Sequence, residues 1–203
     1  MKRKKIGLLG GSFDPIHFGH LHLAIEMFEK HALDQVLFVP AQLSPFKRQS
    51  PPQFNSKDRL EMVRLAIGPV QHFSVLQWEI EKEGPSYTID TIRKLYEEAD
   101  QKGESCQLHL ILGEDQLIDL AKWKEADNLV RLAPPLIGSR MSEPRIFSGY
   151  SPAMTQAVQQ GMTKIPILEI SSTVVRERLK KKLFCGHLVP STVLDYIYSH
   201  SSI

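Results

Sequence analysis

Apolar residues along the chain follow two alternating patterns. Short continuous apolar runs, typical of strands buried on both faces, alternate with longer segments whose apolar residues recur every three or four positions, as in helices. This alternation predicts an α/β fold with a parallel sheet and helices on both of its faces. The predicted strands are residues 6–9, 35–39, 108–112, 132–137 and 165–170, with an extended segment at 73–80, and the predicted helices are 18–31, 56–67, 86–99, 117–121, 124–130, 172–182 and 191–199.

Turn and capping residues mark the ends of several elements. Ser56 is predicted as the N-cap of its helix. Residues 44–54 and 139–151 are polar and contain Pro or Gly, so both segments are predicted as loops. A chain of 203 residues suits one α/β domain. We therefore predict a single domain over residues 1–203, with the C-terminal helices at about 172–199 packed on the sheet.

Composition and charge limit the kinds of molecule that the chain is expected to bind. The formal net charge of +2 is too small to indicate wholesale nucleic-acid binding, and the basic run at residues 2–5 is interpreted as a solvated strand flank. Cys106 and Cys185 lack the spacing of a zinc site or a disulfide framework. No apolar run approaches the ~20 residues that a membrane span needs. We expect a cytoplasmic protein without nucleic-acid or membrane partners, and leave open whether it forms a homo-oligomer.

The segment after the first predicted strand carries the strongest chemical signal. It reads Gly10-Gly11-Ser12-Phe13-Asp14-Pro15-Ile16-His17-Phe18-Gly19-His20. Two glycines let the backbone turn sharply and approach a ligand, which leaves the following amides free to point at an anion. His17 and His20 share one face of a first helical turn, and Gly19 between them leaves room for a bulky group. Because a helix N-terminus also favours anions, the segment is predicted to bind nucleotide phosphates.

The same segment allows a different interpretation. Asp14, His17 and His20 are of the residue types that ligate transition metals. A further ligand with clear spacing is missing, so the metal site is the alternative and phosphate binding is the preferred hypothesis.

A second helix start has similar features. The residues after the last predicted strand read Ile170-Ser171-Ser172-Thr173-Val174-Val175-Arg176-Glu177-Arg178-Leu179. Ser172 is the predicted N-cap, with Ser171 or Thr173 nearly as suitable. A cation such as Arg176 near a helix start opposes the dipole by about half a kcal/mol unless an anion binds there. The first helix likewise has no acid before Glu26. We infer one polyanion between the two helix starts; the alternative is an ordinary cap with a surface arginine.

Five blocks of the chain, in order, resemble a known enzyme family. The segment from Gly10 to His20 resembles the GGxFDPxHxGH turn of the HxGH nucleotidylyltransferases, and residues 170–176 resemble their ISSTxxR motif. Three further blocks are similar to those of bacterial nicotinate-mononucleotide adenylyltransferases. They read Lys57-Asp58-Arg59-Leu60-Glu61-Met62, then Gly84-Pro85-Ser86-Tyr87-Thr88-Ile89-Asp90-Thr91, then Gly113-Glu114-Asp115 followed by Trp123. The resemblance extends from Ile6 to Tyr198 and implies a Rossmann-like, doubly wound fold of nucleotidylyltransferase type.

The resemblance also implies a reaction and a set of site residues. The adenylyl group of ATP would pass to nicotinate mononucleotide, giving deamido-NAD and pyrophosphate in NAD biosynthesis, with Mg²⁺ bound through the ATP phosphates. The implied catalytic residues are His17, His20, Lys47 and Arg176. The implied ATP-binding residues are Gly10, Gly11, Ser12, Phe13, His17, His20, Gly113, Asp115, Ile170, Ser172, Thr173 and Arg176. The implied nicotinate-mononucleotide-binding residues are Ser12, Lys47, Tyr87, Thr88, Trp123 and Arg140.

Some of these roles have alternatives. Asp115 would contact either the adenylate ribose or hydrated Mg²⁺. Trp123 would stack on the pyridine ring or serve as a core aromatic. Arg59 would bind phosphate or pair with Asp58 or Glu61 on its own helix.

The chain also departs from the family pattern. A Pro-His-Lys is usual in the loop after the second strand, whereas this loop reads Pro45-Phe46-Lys47, so only the Lys47 contact is carried over. Glu114 stands where a small residue is common and is expected to alter the edge of the pocket.

Three other classes of protein compete with this assignment. Pantetheine-phosphate adenylyltransferase shares the first motif but usually lacks the Ser-Tyr-Thr block and Trp123. An aminoacyl-tRNA synthetase core would require a KMSKS-like loop and a tRNA-binding extension, and the sequence has neither. A nucleotide-binding regulator without turnover is distinguished only by an assay.

Overall fold

A computed structural model describes residues 3–43, 51–68, 70–82, 84–139, 148–166 and 168–200. The strands are β1 (Lys4–Gly11), β2 (Gln35–Pro40), β3 (Phe73–Val75), β4 (Cys106–Gly113), β5 (Pro135–Ser139) and β6 (Met162–Lys164). The helices are α1 (Phe18–Lys30), α2 (Ser56–Ile67), α3 (Trp78–Glu81), α4 (Thr88–Gln101), α5 (Leu117–Leu120), α6 (Ala126–Leu132), α7 (Pro152–Gly161), α8 (Ser172–Lys180) and α9 (Ser191–His200), with a 3₁₀ turn at Glu114–Gln116. None of the described helices is long and apolar enough to cross a membrane.

The strands form one six-stranded sheet in the order β3-β2-β1-β4-β5-β6. β4 pairs in parallel with β1 and β5, and β5 pairs in parallel with β6, with Ile6 opposite Leu108 and Ile111 opposite Leu136. The order reverses between β1 and β4, as in a Rossmann-like doubly wound sheet, which confirms the predicted fold class. Ligands of such sheets bind beyond the carboxyl ends of the strands at the reversal.

The chain divides into two compact units, each discontinuous in sequence. Unit 1 comprises Met1–Gly10, Leu23–Leu37 and Tyr87–Ile167, and unit 2 comprises Gly11–His22, Phe38–Ser86 and Leu168–Ile203. The prediction of a single domain stays a prediction.

Each unit buries its own apolar side chains. In unit 1, α4 packs on β4 and α6, and α7 packs on β5 and α6. In unit 2, α2 packs on β3 and α9, and the Phe38 ring lies 5.9 Å from the Phe13 ring and 5.5 Å from the Phe73 ring. The fully buried apolar residues include Leu108, Ile111 and Leu117 in unit 1 and Phe13, Ile16, Phe38 and Met62 in unit 2.

Three predicted extended segments are wrong in their bounds. In place of a strand at residues 132–137, β5 is Pro135–Ser139, because α6 continues to Leu132. Residues 73–80 are not one extended segment, because β3 ends at Val75 and α3 begins at Trp78. The last strand is Met162–Lys164 rather than residues 165–170. Pro166 has no backbone N–H and cannot continue a ladder, although the Ile165 amide still donates to the Ser139 carbonyl at 3.0 Å.

Helix α7 was not predicted from the sequence at all. Ser151 caps it, since its side chain accepts from the Met154 amide at 3.1 Å, and Pro152 occupies the first turn. Ser followed by Pro is a recognisable helix start, so the signal was present in the sequence. Helix α2 is likewise capped one residue earlier than predicted, by Asn55 rather than Ser56.

Candidate functional site

The backbone turn after β1 is not made by its glycines. Gly10 and Gly11 lie in the extended end of the strand, and the residue with left-handed backbone is Phe13, with φ of 47°. A Cβ built on Gly10 would meet no atom within 4 Å, so a ligand has open access to this backbone. Within the part of the chain that the structure describes, the amides of Ser12 and Phe13 donate to no protein acceptor. Both amides are therefore available as hydrogen-bond donors.

The two histidines of the turn lie against each other. Their rings stack with centroids 3.7 Å apart, and the His17 amide donates to Nδ1 of His20 at 3.2 Å. In a neutral His20 this bond leaves the proton on Nε2, which makes Nε2 a hydrogen-bond donor. The structure thus confirms that the histidines share one face.

His17 is 5% exposed, and its Nδ1 has no hydrogen-bond partner among the described residues. Burial lowers the pKa of His17 to about 4, so the ring is neutral at pH 7. A Cβ built on Gly19 would lie 3.1 Å from this ring, so the group for which Gly19 leaves room is the His17 imidazole.

The buried His17 predicts a pH dependence of stability. Its pKa falls from an ordinary 6.5 to about 4 on folding, so the unfolded chain binds more protons between these values. The free energy of unfolding should therefore decrease as pH falls through this window, with about 3 kcal/mol attributable to His17. Urea unfolding at pH 7.5 and 4.5 should show a smaller decrease in His17→Gln. An equal decrease in parent and variant would contradict the assignment.

Asp14 links three segments of unit 2. Its carboxylate accepts from the amides of Gln53 and Phe54 at 3.0 and 2.9 Å and forms an ion pair with Arg176 at 3.1 Å. These donors occupy both carboxylate oxygens, and no cluster of potential metal ligands occurs in the described ranges. Asp14 thus anchors the turn to the segment before α2 and to α8.

The start of α8 lies against this turn. Ser171, not the predicted Ser172, is the N-cap, with its side chain accepting from the Val174 amide at 3.3 Å. The Ser172 hydroxyl donates instead to the Pro15 carbonyl at 2.9 Å. Arg176 donates to the Asp14 carbonyl at 2.6 Å and to the Thr173 hydroxyl at 3.2 Å. The structure thus brings together the two helix starts that the sequence singled out.

Arg59 differs from both predicted alternatives. It is 1% exposed, and within the described ranges its hydrogen bonds go to backbone carbonyls. Asp58 binds Asn55 and Tyr196 instead, and Glu61 pairs with Arg64. The carbonyls that accept from Arg59 belong to Ser12, Ala41, Gln42 and Phe54, at 2.6, 2.7, 3.1 and 3.3 Å. Arg59 therefore holds the backbone of the turn rather than a ligand, and sequence alone offered no signal for these partners.

In unit 1, the end of β4 carries Gly113, Glu114 and Asp115. A Cβ built on Gly113 would lie 2.5 Å from a carboxylate oxygen of Asp115, so this side chain folds back over the strand end into space that the glycine leaves. Glu114 accepts from the buried Ser139 hydroxyl at 2.6 Å. Glu114, which stands where the family commonly has a small residue, therefore has a polar partner, Ser139, at the end of β5.

The predicted pyridine-binding residues also lie in unit 1. Thr88 begins α4 after Tyr87, and Trp123 is half-buried. The residues next to Trp123 are tied to α4. Lys124 binds Asp90 at 2.9 Å and lies 4.8 Å from the centre of the Tyr87 ring, and Arg93 binds Glu125 through two nitrogens at 2.9 and 2.6 Å.

Lys47 and Arg140 lie outside the described residues, as do Phe46 and residues 141–147. Their predicted roles stay predictions.

Comparisons with known proteins identify the family and support the fold. The model of the family described as cytidylyltransferase-like matches residues 8–178. A protein of Methylacidiphilum infernorum named as a probable nicotinate-nucleotide adenylyltransferase is 38% identical, covering 97% of this chain and 91% of the relative. One of the same name from Dictyoglomus thermophilum is 40% identical over 95% and 96%. The solved nicotinic acid mononucleotide adenylyltransferase of Plasmodium falciparum complexed with NaAD has a TM-score of 0.70 at 20% identity, covering 98% of this chain and 97% of its own, which supports the fold.

Proposed function

Because the chain belongs to the cytidylyltransferase-like family, and within it to the nicotinate-nucleotide adenylyltransferases, we propose that it adenylylates nicotinate mononucleotide. The phosphate of nicotinate mononucleotide attacks the α-phosphorus of ATP. An oxygen–phosphorus bond forms there while the bond to the β-phosphate oxygen breaks. The products are nicotinate adenine dinucleotide, which is deamido-NAD, and pyrophosphate.

One observation carries the proposal at the level of the site. Within unit 2, Ser172 and Arg176 of α8 bind the backbone of the turn at Pro15 and Asp14. The single acid of the turn, Asp14, is already occupied by donors. The two helix starts therefore offer hydrogen-bond donors to a ligand, and no carboxylate competes with that ligand. Such a site suits a polyphosphate.

Catalysis in this proposal rests on alignment and charge. The attacking phosphate monoester has a second pKa of about 6 and is largely dianionic at pH 7, so no general base is needed. His20 would donate from Nε2 to a phosphoryl oxygen, held in that tautomer by the His17 amide. Lys47 and Arg176 would supply positive charge to the departing pyrophosphate. Since His17 is neutral at pH 7, it contributes position rather than charge.

The remaining ATP contacts are assigned by the same proposal. Ser12 and Phe13 would donate their amides to phosphate, with Gly10 open beside them and Gly11 against the Phe13 ring. Ser172 and Thr173, after Ile170, would face the phosphates from α8, and Gly113 and Asp115 would meet the adenylate ribose or hydrated Mg²⁺. Where Asp115 meets Mg²⁺, the ion would neutralise phosphate charge, and it would require no dedicated set of protein ligands.

A set of residues that differs from the ATP-binding set would recognise the acceptor, nicotinate mononucleotide. Thr88 and the amides near Tyr87 would bind the pyridine carboxylate, and Trp123 would stack on the ring. Ser12, Lys47 and Arg140 would complete the binding of nicotinate mononucleotide. The ties of Lys124 and Glu125 to α4 support this role, because they fix the turn that carries Trp123.

An assay of pyrophosphate release tests the proposed reaction. The purified chain with ATP and Mg²⁺ should release pyrophosphate with nicotinate mononucleotide and not with phosphopantetheine, and nicotinamide mononucleotide measures the preference for the acid. Reactions without acceptor control for ATP hydrolysis. Turnover with phosphopantetheine alone would refute the acceptor, and a chain that binds ATP without turnover on any acceptor would support the regulator instead.

A further inference from the structure

Unit 1 contains an arginine-lined cavity of about 530 Å³, open to solvent, which the proposed reaction does not use. Arg3, Arg93 and Arg131 line it, against one carboxylate, Glu97. Its volume lies within the usual range of small-molecule sites, roughly 300–1,000 Å³, and exceeds what a single inorganic anion needs. Size and charge together indicate an organic anion.

Two of the three arginines lack an acidic partner. Arg3 donates through Nε to the Cys106 carbonyl at 2.6 Å. Arg131 donates to the Asp127 carbonyl and the Asn128 amide oxygen at 3.2 and 3.0 Å. Among the residues that the structure describes, neither guanidinium forms an ion pair. These neutral acceptors hold the side chains in place and leave their charges uncompensated.

The third arginine, Arg93, lines the cavity and also forms an ion pair. Both terminal nitrogens of Arg93 bind the carboxylate of Glu125. Each guanidinium carries five N–H donors in a fork that matches phosphate oxygens. Arg93 therefore adds donors to the cavity, although Glu125 already balances its charge.

The remaining walls suit the organic part of a ligand. Leu132 and Pro134 provide apolar surface, and Tyr96 is fixed because its hydroxyl donates to the Leu132 carbonyl at 2.8 Å and accepts from the Leu108 amide at 3.3 Å. Gln107 adds a neutral donor and acceptor to the lining. A flat, partly apolar group would pack on the Tyr96 ring and form a hydrogen bond with the Gln107 side-chain amide.

The cavity is remote from the proposed reaction. It lies beside Arg3 and Gln107, at the amino ends of β1 and β4, whereas Gly113 closes the carboxyl end of β4. At roughly 3.3 Å per residue, Gln107 and Gly113 are about 20 Å apart along the strand. The cavity is thus a separate site.

We propose that this cavity binds a nucleoside diphosphate or a similar organic phosphate, with the phosphates on Arg3 and Arg131 and the base against Tyr96 and Leu132. Charge-assisted bonds from guanidinium to phosphate are strong enough to give specific binding at a solvent-open site. The inference is independent of the identity of the acceptor in the proposed reaction.

Equilibrium dialysis with radiolabelled ADP tests the proposal. The full chain should bind two equivalents. The double variant Arg3→Gln/Arg131→Gln should lose one of them, with an affinity at least about tenfold weaker, while His20→Ala should weaken only the other. Glu97→Gln should bind ADP at the cavity about threefold more tightly, because the one lining carboxylate repels phosphate. Arg64→Gln removes an exposed arginine outside the cavity and should change neither site.

The outcomes separate this proposal from the proposed function. Loss of one equivalent in the double variant alone supports the cavity even if no turnover is found. Two equivalents retained by the double variant would overturn it, as would weaker binding in Glu97→Gln. Sedimentation without ADP provides a further check: self-association that the double variant abolishes, with unchanged ADP binding, would show that acidic groups of a second copy occupy the cavity instead.

Discussion

Replacing Arg59 with leucine should lower the free energy of unfolding by about 3–5 kcal/mol, the usual cost of removing one member of a buried charged network. The variant leaves the carbonyls of Ser12, Ala41 and Gln42 without their donor and removes positive charge near Asp14. Urea unfolding followed by circular dichroism measures the change. Because these carbonyls belong to the turn and to the residues that follow β2, adenylyl transfer should fall as well.

Two variants give this prediction its controls. Arg59→Lys keeps the charge but lacks the planar fork, so it should recover only part of the lost stability. Arg64→Leu, on the same helix but exposed and paired only with Glu61, should change stability by less than about 1 kcal/mol. An Arg59→Leu protein as stable as the Arg64→Leu protein would show that the buried guanidinium is not structural.

Replacing His20 with alanine should reduce turnover at least ~10²-fold, as is typical when one transition-state hydrogen-bond donor is lost. Because the His20 ring also contacts the Phe13 ring and accepts from the His17 amide, urea unfolding of the variant separates a lost donor from a lost fold. Turnover at saturating ATP and nicotinate mononucleotide measures the loss. A raised KM at unchanged turnover would instead assign His20 to ground-state binding.

The adjacent His22→Ala variant is the matched control, because it removes the same side chain from the same helix two residues further on. Its turnover should remain within about threefold of the parent. Near-normal turnover in His20→Ala would refute the proposed donor role.

Sequence patterns predicted the fold where the signal was local. Continuous apolar runs marked β1, β2 and β4, and helical spacing marked α1, α2 and α4, within a few residues of their bounds. The errors in helix caps occurred where two neighbouring residues were equally suitable as the N-cap. Ser171 and Ser172 are equally good caps, and only the Pro15 carbonyl, which takes the Ser172 hydroxyl, distinguishes them. Similarly, Asn55 and Ser56 are neighbouring cap candidates on α2.

By itself, the sequence determined the alternation of strands and helices, the two donor-rich helix starts and, through its motifs, the family. These properties reside in residues that are close along the chain. The tertiary structure alone decided how the turn after β1 is held. Asp14 contacts Gln53 and Arg176, and Arg59 contacts Ser12, although these residues are far apart in sequence. No local pattern of residues predicts such contacts. Burial also decided that His17 is neutral, because its environment is built by distant segments. The phosphate-binding turn is thus encoded locally, whereas its shape and its protonation state depend on the fold.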